Sequence, residues 1–410
     1  MSTWQNVKLR ELCSKIGSGA TPHGGAAVYI DAGTSLIRSQ NVYNVKFEYE
    51  GLAHITADAA KKLDGVTVES GDVLLNITGD SVARTCIVPD NVLPARVNQH
   101  VAIIRADPEL LDYRYLNYYL ASPFMQAHML GLAVGKGASR NAITKAMIED
   151  FSIPLPPLSV QRRIADILSA YDDLIENNRE QIKLLEEAAQ RLYKEWFIDL
   201  RFPGHEHTPI ISGIPEGWKA DSLGDLIDFN PTGLRTNNLP KQFIPMEAIS
   251  TSSMLIDYKN TSSTDKNSGS KFEVGDTLLA RITPCLENGK TAFVSKLHYG
   301  EYGVGSTEFI VMRPKKLNPY MVYLIARTER FRTYAINSMT GSDGRQRAKV
   351  DKLELFPILR PSQKIIDLFS KNAEPIFSEA STLSEKIFSL QEARDRLLPR
   401  LMNSTIEVLP

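Results

Sequence analysis

The sequence predicts a mixed α/β fold in which two similar globular α/β domains are separated by a long antiparallel two-helix coiled coil. Three observations lead to this fold class: the length of the chain, an internal repeat and two long helix-patterned segments. At 410 residues the chain is too long for one hydrophobic core and suits two domains. With 43% hydrophobic and 23% charged residues, it has the composition of a globular protein and not of a disordered or membrane-embedded one.

The two halves of the chain carry the same features in the same order, which indicates a pseudo-two-fold internal repeat. Each half has a tryptophan near its start, a Gly-Asp step into an apolar run, a strand pattern rich in β-branched residues, and a glutamine that opens a helix pattern. These features are Trp4 and Trp218, Gly71-Asp72 and Gly275-Asp276, Gln99–Arg105 and Glu308–Arg313, and Gln161 and Gln363. One half is therefore a globular α/β part followed by a helix.

Each helix-patterned segment has apolar residues at alternating steps of three and four, the pattern of a coiled-coil seam. The first seam, Ile164–Trp196, contains the polar Asn178, and the second, Ile366–Leu401, contains the charged Arg394. Each seam offers the other an apolar partner, so we expect the two helices to pair. The pairing is antiparallel, because a domain precedes each helix and the domains occupy opposite ends of a rod only if the helices run in opposite directions.

The position of Pro375 predicts where the long helices start. An interior proline removes a backbone hydrogen bond and breaks or kinks a helix, so Pro375 predicts a short helix before it and a long one that starts near Glu374. Asp172 is the matching start in the first copy, which leaves about 28 residues, or about 42 Å, for each long helix. The predicted boundaries are 1–157 for the first domain, 158–200 for the first helical region, 201–361 for the second domain and 362–410 for the second helical region.

Charge and cysteine content restrict the function classes. The chain has 47 Lys+Arg against 48 Asp+Glu, so a site for a polyanion has to be local. Its three cysteines, Cys13, Cys86 and Cys285, are far apart, which argues against disulfides or a thiolate metal site and favours a reducing cytoplasm. The sequence shows no apolar leader at its N-terminus and no membrane-length apolar run, so we expect a cytoplasmic protein.

Positive charge recurs at one place in the repeat. Residues 131–147 contain three cations and no acid, and residues 327–352 contain seven cations against three acids. A solvated surface is the usual meaning of such a cluster, but its recurrence in both halves favours a nucleic-acid face. Arginine and glutamine are also the residue types that read guanine and adenine edges. The candidate DNA-binding residues are Lys136, Ser139, Arg140, Arg345 and Arg347 in these loops, with Arg38, Gln40, Arg281 and Lys290 as weaker candidates.

The sequence segments that look like catalytic or metal-binding motifs each lack a required residue. Leu286–Thr291 looks like the end of a phosphate-binding loop, but Pro284 stands where the first glycine is needed. His205 and His207 lack a third metal ligand nearby. We therefore predict no catalytic, cofactor or metal site in this chain.

Over essentially its full length the sequence resembles the specificity subunit of type I restriction-modification systems. The resemblance is carried by the segments Lys15–Pro22, Ile153–Leu168, Leu192–Asp199 and Arg394–Met402, together with the two Gly-Asp steps. It implies two target-recognition domains, each reading one half of a split double-stranded DNA site, and two helical regions that set the spacing and dock two modification subunits. Because the two domains differ in sequence, the two half-sites are expected to differ as well.

The resemblance also implies that this chain is not an enzyme. Methyl transfer from S-adenosylmethionine belongs to the modification subunits, and translocation and cleavage with ATP and Mg belong to the restriction subunits. The alternative is a coiled-coil scaffold whose end domains bind proteins, and an enzyme acting alone comes third. A basic face on both end domains favours DNA recognition, whereas scattered charge favours the scaffold.

Overall fold

The computed structural model describes residues 4–134, 142–233, 239–342 and 344–408. The chain divides into two compact units. Unit 1 comprises Met1–Asp173 and Gln391–Pro410, and unit 2 comprises Leu174–Leu390.

Unit 1 is built on two sheets. Its strands are β1 Gln5–Lys8, β2 Cys13–Ser18, β3 Tyr29–Ile30, β4 Thr34–Ile37, β5 Val42–Tyr43, β6 Lys46–Phe47, β7 Ala53–Ile55, β8 Thr67–Val68, β9 Val73–Asn76, β10 Thr85–Ile87, β11 Ala95–Val97, β12 Val101–Ala106 and β13 Ser152–Leu155. Its helices are α1 Ala57–Lys62, α2 Tyr113–Ala121, α3 Pro123–Ala133 and α4 Lys145–Glu149, followed by α5 Leu158–Tyr193, which begins in this unit. One sheet is antiparallel in the order β10-β9-β12-β2, and the other runs β3-β7-β4-β11-β8 with β11 parallel to β4.

Strands β9 and β12 are central because their apolar runs are buried on both faces. Alternate side chains on a strand point to opposite faces, so the two strands contribute to two hydrophobic cores. Leu75, Ala102 and Ile104 pack in the core that also contains residues of α2, α3 and α5. Leu74, Val101 and Ile103 pack in the core that contains residues of β4 and β11.

Unit 2 repeats this topology. Its strands are β14 Ile210–Ile211, β15 Ile214–Pro215, β16 Lys219–Ser222, β17 Ile227–Phe229, β18 Lys241–Ile244, β19 Ser262–Thr264, β20 Ser270–Phe272, β21 Thr277–Ala280, β22 Thr291–Phe293, β23 Gly303–Gly305, β24 Phe309–Pro314 and β25 Pro357–Arg360. Its helices are α6 Pro319–Arg327, α7 Glu329–Asn337, α8 Val350–Leu353 and α9 Gln363–Met402, which ends in unit 1. The sheets run β17-β24-β21-β22 and β19-β18-β23-β20, with β18 parallel to β23 as β4 is to β11.

The repeat extends to individual side chains. In unit 1, the fully buried Asp72 after the first Gly-Asp step accepts hydrogen bonds from Arg105 Nε at 2.7 Å and from the Glu69 backbone at 2.8 Å. In unit 2, Asp276 accepts the same bonds from Arg313 Nε at 2.9 Å and from the backbone of Glu273 at 2.8 Å. The Gly-Asp steps therefore mark a buried carboxylate that pairs with a partly exposed arginine and joins two central strands in each copy.

The long helices differ in length from the prediction. Helix α5 has 36 residues and α9 has 40, so both begin well before Asp172 and Glu374, and the predicted break at Pro375 is wrong. An interior proline costs about 3 kcal/mol, whereas burying one large apolar side chain contributes about 1.5 to 3 kcal/mol. Phe369 and Phe377 are buried on either side of Pro375, and their burial outweighs the cost of the proline.

The predicted seams are buried in both units. In unit 1, Leu398 and Leu401 of α9 share a core with Ile164 and Leu168 of α5. In unit 2, Phe369 near the start of α9 packs against Trp196, just beyond α5, with ring centroids 5.6 Å apart. Each unit therefore holds opposite ends of the two helices together, as antiparallel pairing requires. The mixed α/β fold with two similar units and paired long helices is confirmed.

No helix in the described part of the chain is both long and apolar enough to cross a membrane.

Candidate nucleic-acid interface

Three segments of unit 1 meet at the end of its central strands. The N–H of Ile77, directly after β9, donates to the carbonyl of His100, directly before β12, at 3.0 Å. The carbonyl of Ile77 accepts from the N–H of Ile143 at 2.8 Å. Ile143 belongs to the first basic segment, 131–147, and this bond places Ile143 itself next to the sheet.

Unit 2 repeats the frame with different side chains. The N–H of Arg281 donates to the carbonyl of Glu308 at 2.9 Å, and the carbonyl of Arg281 accepts from Ala348 at 2.8 Å. The corresponding residues, unit 1 first, are Ile77 and Arg281, His100 and Glu308, and Ile143 and Ala348. Each unit therefore presents the same backbone scaffold with its own set of polar groups.

In unit 1 the frame borders an open cleft of about 620 Å³. The Thr78 hydroxyl lies 2.6 Å from His100 Nδ1, and Gln99 Nε2 lies 2.8 Å from His100 Nε2. Arg84 also lines the cleft, and its guanidinium lies over the ring of Tyr43, 4.5 Å from the ring centroid. The cleft is lined by Ser39, Gln40, Tyr43, Thr78, Gly79, Asp80, Ser81, Arg84, His100 and Ala142.

In unit 2 the corresponding surface carries an ion pair. The guanidinium of Arg347 donates to Glu308 from Nε at 2.9 Å and from the terminal nitrogen at 2.7 Å. This bonding holds the pKa of Glu308 below its ordinary value and raises the pKa of Arg347. Arg281 is close enough to contribute to the lowered pKa of Glu308. The site thus combines two guanidinium groups with one carboxylate that stays ionised.

A further pair of cations occupies equivalent positions. The carbonyl of Arg84 accepts from Asn76 at 2.8 Å in unit 1, and the carbonyl of Lys290 accepts from Ala280 at 3.0 Å in unit 2. Lys290 was a candidate from the sequence, but Arg84 was missed. The signal that could have found it is its place in the repeat, because both residues directly precede a threonine that starts a strand, β10 or β22.

The structure brings some of the predicted residues together and separates others. Arg281, Arg345 and Arg347 lie on one surface of unit 2, because the Thr283 N–H donates to the carbonyl of Gln346 at 3.0 Å and joins their two segments. Arg345 is exposed, and no described residue pairs with its guanidinium. The ammonium of Lys290 donates to the carbonyl of Met246 at 2.9 Å, and Met246 belongs to a different segment from the three arginines.

The remaining candidates belong to unit 1. Gln40 lines the cleft and donates to the Gly51 carbonyl at 3.1 Å. Arg38 donates to the same carbonyl at 2.6 Å, so one nitrogen of its guanidinium is used to hold the segment at Gly51. Lys136, Ser139 and Arg140 lie outside the described residues.

His205 and two of the thiols lie in structural surroundings. His205 Nδ1 lies 2.9 Å from the carbonyl of Phe202, and the described residues contain no cluster of three potential metal ligands. Burial raises the pKa of the half-buried Cys13 and the buried Cys86 to about 12, which favours the protonated thiol.

The chain is similar to several known proteins. A sequence profile described as "Type I restriction modification DNA specificity domain" matches residues 1–187. The MjaIX specificity subunit of Methanocaldococcus jannaschii is 24% identical over 99% of this chain and 94% of its own length. The HindI specificity subunit of Haemophilus influenzae is 22% identical over 99% of this chain and 100% of its own. The crystal structure of a type I S subunit from M. genitalium has the same fold, with a TM-score of 0.52, 15% identity, and coverage of 99% of this chain and 97% of that one.

Proposed function

Because this chain belongs to the family of type I restriction-modification specificity subunits, we propose that the equivalent surfaces of units 1 and 2 each read one half of a bipartite double-stranded DNA site. The chain is the DNA-recognition component of such a system and not its catalytic one. The scaffold alternative, in which the end domains bind proteins, is not favoured.

One observation carries the assignment of the surfaces: the two units share a backbone frame and differ in the polar groups placed on it. A common scaffold fixes the distance of approach to a duplex, and the variable side chains then decide which bases are accepted. His100 of unit 1 is replaced by Glu308 in unit 2, and Ile77 is replaced by Arg281. Two readers built in this way recognise different half-sites.

The groups present suit contacts in the major groove. Gln40 of unit 1 can pair with the edge of adenine, and arginines such as Arg281 can pair with guanine. Exposed cations such as Arg345 suit phosphates, which position the protein without carrying sequence information. The unit 2 half-site is therefore expected to contain guanine, and the unit 1 half-site to contain adenine.

The finer organisation is part of the same proposal. We place the target-recognition domains at 1–157 and 201–361, and the helical regions at 158–200 and 362–410. The helical regions would set the half-site spacing and dock two modification subunits, to which restriction subunits would be added. Exposed apolar side chains on α5, Leu174 and Leu184, support a protein partner on this helix.

The test is to select duplexes from a randomised pool with the full chain, produced together with its modification subunits. The expected result is one asymmetric motif with two defined blocks and an undefined spacer. Methylation in the source genome is expected at the same motif and is lost when the gene for this chain is deleted. Retention of all duplexes equally well at moderate salt would contradict the assignment.

A further inference from the structure

Unit 2 contains one carboxylate of particular interest, the buried side chain of Glu186. Glu186 lies on α5, is 3% exposed, and accepts from the Tyr323 hydroxyl at 2.5 Å and from the Met254 N–H at 2.7 Å. Burial raises the pKa of Tyr323 well above its ordinary value, and the charge of Glu186 adds to the shift, so the hydroxyl remains a donor. A buried carboxylate is tolerated only when it is paired, and here the cation is Arg327 of α6, 3.2 Å away.

Arg327 links this centre to the candidate interface. Its terminal nitrogen donates to the carbonyl of Gly289 at 2.9 Å and to the carbonyl of Thr251 at 3.2 Å. Gly289 directly precedes Lys290, whose ammonium donates to Met246 at 2.9 Å. One guanidinium therefore ties the long helix to the turn that carries Lys290.

The turn itself has little freedom to move independently. Gly289 has a φ of +79°, a conformation that favours glycine, and a Cβ placed there would lie 3.1 Å from Arg332 and 3.3 Å from the Thr251 carbonyl. The turn thus fits closely around the guanidinium groups beneath it. Loss of the Arg327 contact would remove a fixed point directly beside the Lys290 backbone.

Unit 1 offers a matched comparison. Asp172, also on α5, accepts from the Tyr118 hydroxyl at 2.5 Å and pairs with Arg394. The side chain of Arg394 bonds to Asp172 and Asp395, both in the helices, and not to the cleft residues of unit 1. The cluster in unit 1 is more exposed, and its arginine lies on α9 and not on α6. Of the two clusters, the one in unit 2 is the one whose arginine bonds to the turn before Lys290.

We infer that Glu186 and Arg327 are positioning residues for base reading by unit 2, acting through the turn at Gly289 and Lys290. The inference rests on the proposed function of that surface. Neither residue is assigned a contact with DNA. The negative charge of Glu186 holds the guanidinium of Arg327 close to it, and Arg327 donates to the backbone directly before Lys290.

The experiment uses Glu186→Gln in the full chain with its modification subunits, with Asp172→Asn as the matched control. Glutamine keeps the size of the side chain but removes its charge and turns one accepting oxygen into a donor. In duplex selection, we expect Glu186→Gln to reduce discrimination at the unit 2 half-site about tenfold, the scale of one base contact, and to leave the unit 1 half-site unchanged. Asp172→Asn is expected to leave both half-sites unchanged while lowering the melting temperature.

A second variant keeps the inference testable if Glu186→Gln does not fold. Arg327→Lys keeps the charge opposite Glu186 but cannot hold Glu186 and the Gly289 carbonyl with one planar group, so it is expected to relax the same half-site. If Glu186→Gln and Arg327→Lys lower the melting temperature but leave both half-sites intact, the residues are structural and the inference is overturned.

Loss of the positioning role and loss of the reading surface give different results. If substitutions at Arg281 and Arg347 relax the unit 2 half-site but Glu186→Gln and Arg327→Lys do not, only the positioning role is lost. If substitutions at all four positions leave both half-sites intact, the proposed reading surface of unit 2 is wrong.

Discussion

The guanidinium of Arg347 holds both carboxylate oxygens of Glu308, with N···O distances of 2.7 to 3.1 Å. Bidentate pairs of this kind fix the plane of both groups, so the pair presents its outer edge in one orientation. The same place in unit 1 is occupied by His100 and the hydroxyl of Thr78. The difference between these two sets of groups is the physical basis for expecting two different half-sites.

Replacing Arg347 with alanine leaves Glu308 unpaired at the proposed DNA surface. We expect weaker binding to every duplex, because an uncompensated carboxylate repels phosphates, and about tenfold poorer discrimination at the unit 2 half-site. The pKa of Glu308, now held down by Arg347, is expected to rise toward its ordinary value of 4.5. Duplex selection and NMR titration of the carboxyl group measure the two effects. An unchanged unit 2 motif would remove Arg347 from the reading surface.

Arg345 tests the phosphate contacts. It is exposed, and we expect Arg345→Ala to weaken binding about equally for all sequences and to reduce the dependence of log affinity on log salt by about 0.9. Arg140→Ala is expected to act in the same way in the first loop. The affinity of both variants for DNA, measured from low to moderate salt, tests this prediction. If neither change affects affinity, the two basic loops do not contact DNA.

The equivalent cations Arg84 and Lys290 provide a reciprocal test. Both precede an equivalent strand, so Arg84→Ala is expected to alter the unit 1 half-site alone and Lys290→Ala the unit 2 half-site alone. A loss of about tenfold in discrimination is expected for each if it contacts a base. Each variant serves as the control for the other. An effect of either change on the opposite half-site would show that the units do not read independently.

The ion pairs at the Gly-Asp steps are expected to stabilise the fold and not to read DNA. Asp276 is 1% exposed, whereas the Arg313 side chain is partly exposed and also pairs with Glu273 at 3.0 Å. Loss of the buried carboxylate leaves Arg313 and the Glu273 N–H without their charged acceptor, so we expect Asp276→Asn to lower the free energy of unfolding by about 1 to 3 kcal/mol. Denaturant unfolding measures the loss, and Asp72→Asn is the matched change in unit 1. The motif of either variant, measured below its unfolding transition, is expected to stay intact.

The proposed interface was only partly predictable. The recurrence of basic residues in the repeat predicts Arg345 and Arg347, and Arg281 is a weaker candidate from its residue type; the three share a surface. Arg84 was missed because its local sequence contains no second cation, and its role emerges only when the backbone of unit 1 is aligned with that of unit 2. The alignment depends on contacts between residues that are far apart in the sequence, such as Ile77 and Ile143, and such contacts are visible only in the folded chain.

The sequence alone predicts the internal repeat, the strand that contains Ile104 and the apolar run that contains Leu75. It also predicts the helix seams, in which Ile164 and Phe369 are buried. A periodic apolar pattern specifies which face of an element is buried whatever the partner is, so one sequence suffices.

Tertiary structure decided the rest. It extended α9 through Pro375, because the burial of Phe369 and Phe377 outweighs the local cost of a proline. It also joined Glu186 to Arg327 across 141 positions of the chain and joined Arg327 to Gly289. The stability of a buried charge depends on which partner the fold brings within about 3 Å, and no local pattern in the sequence contains that information.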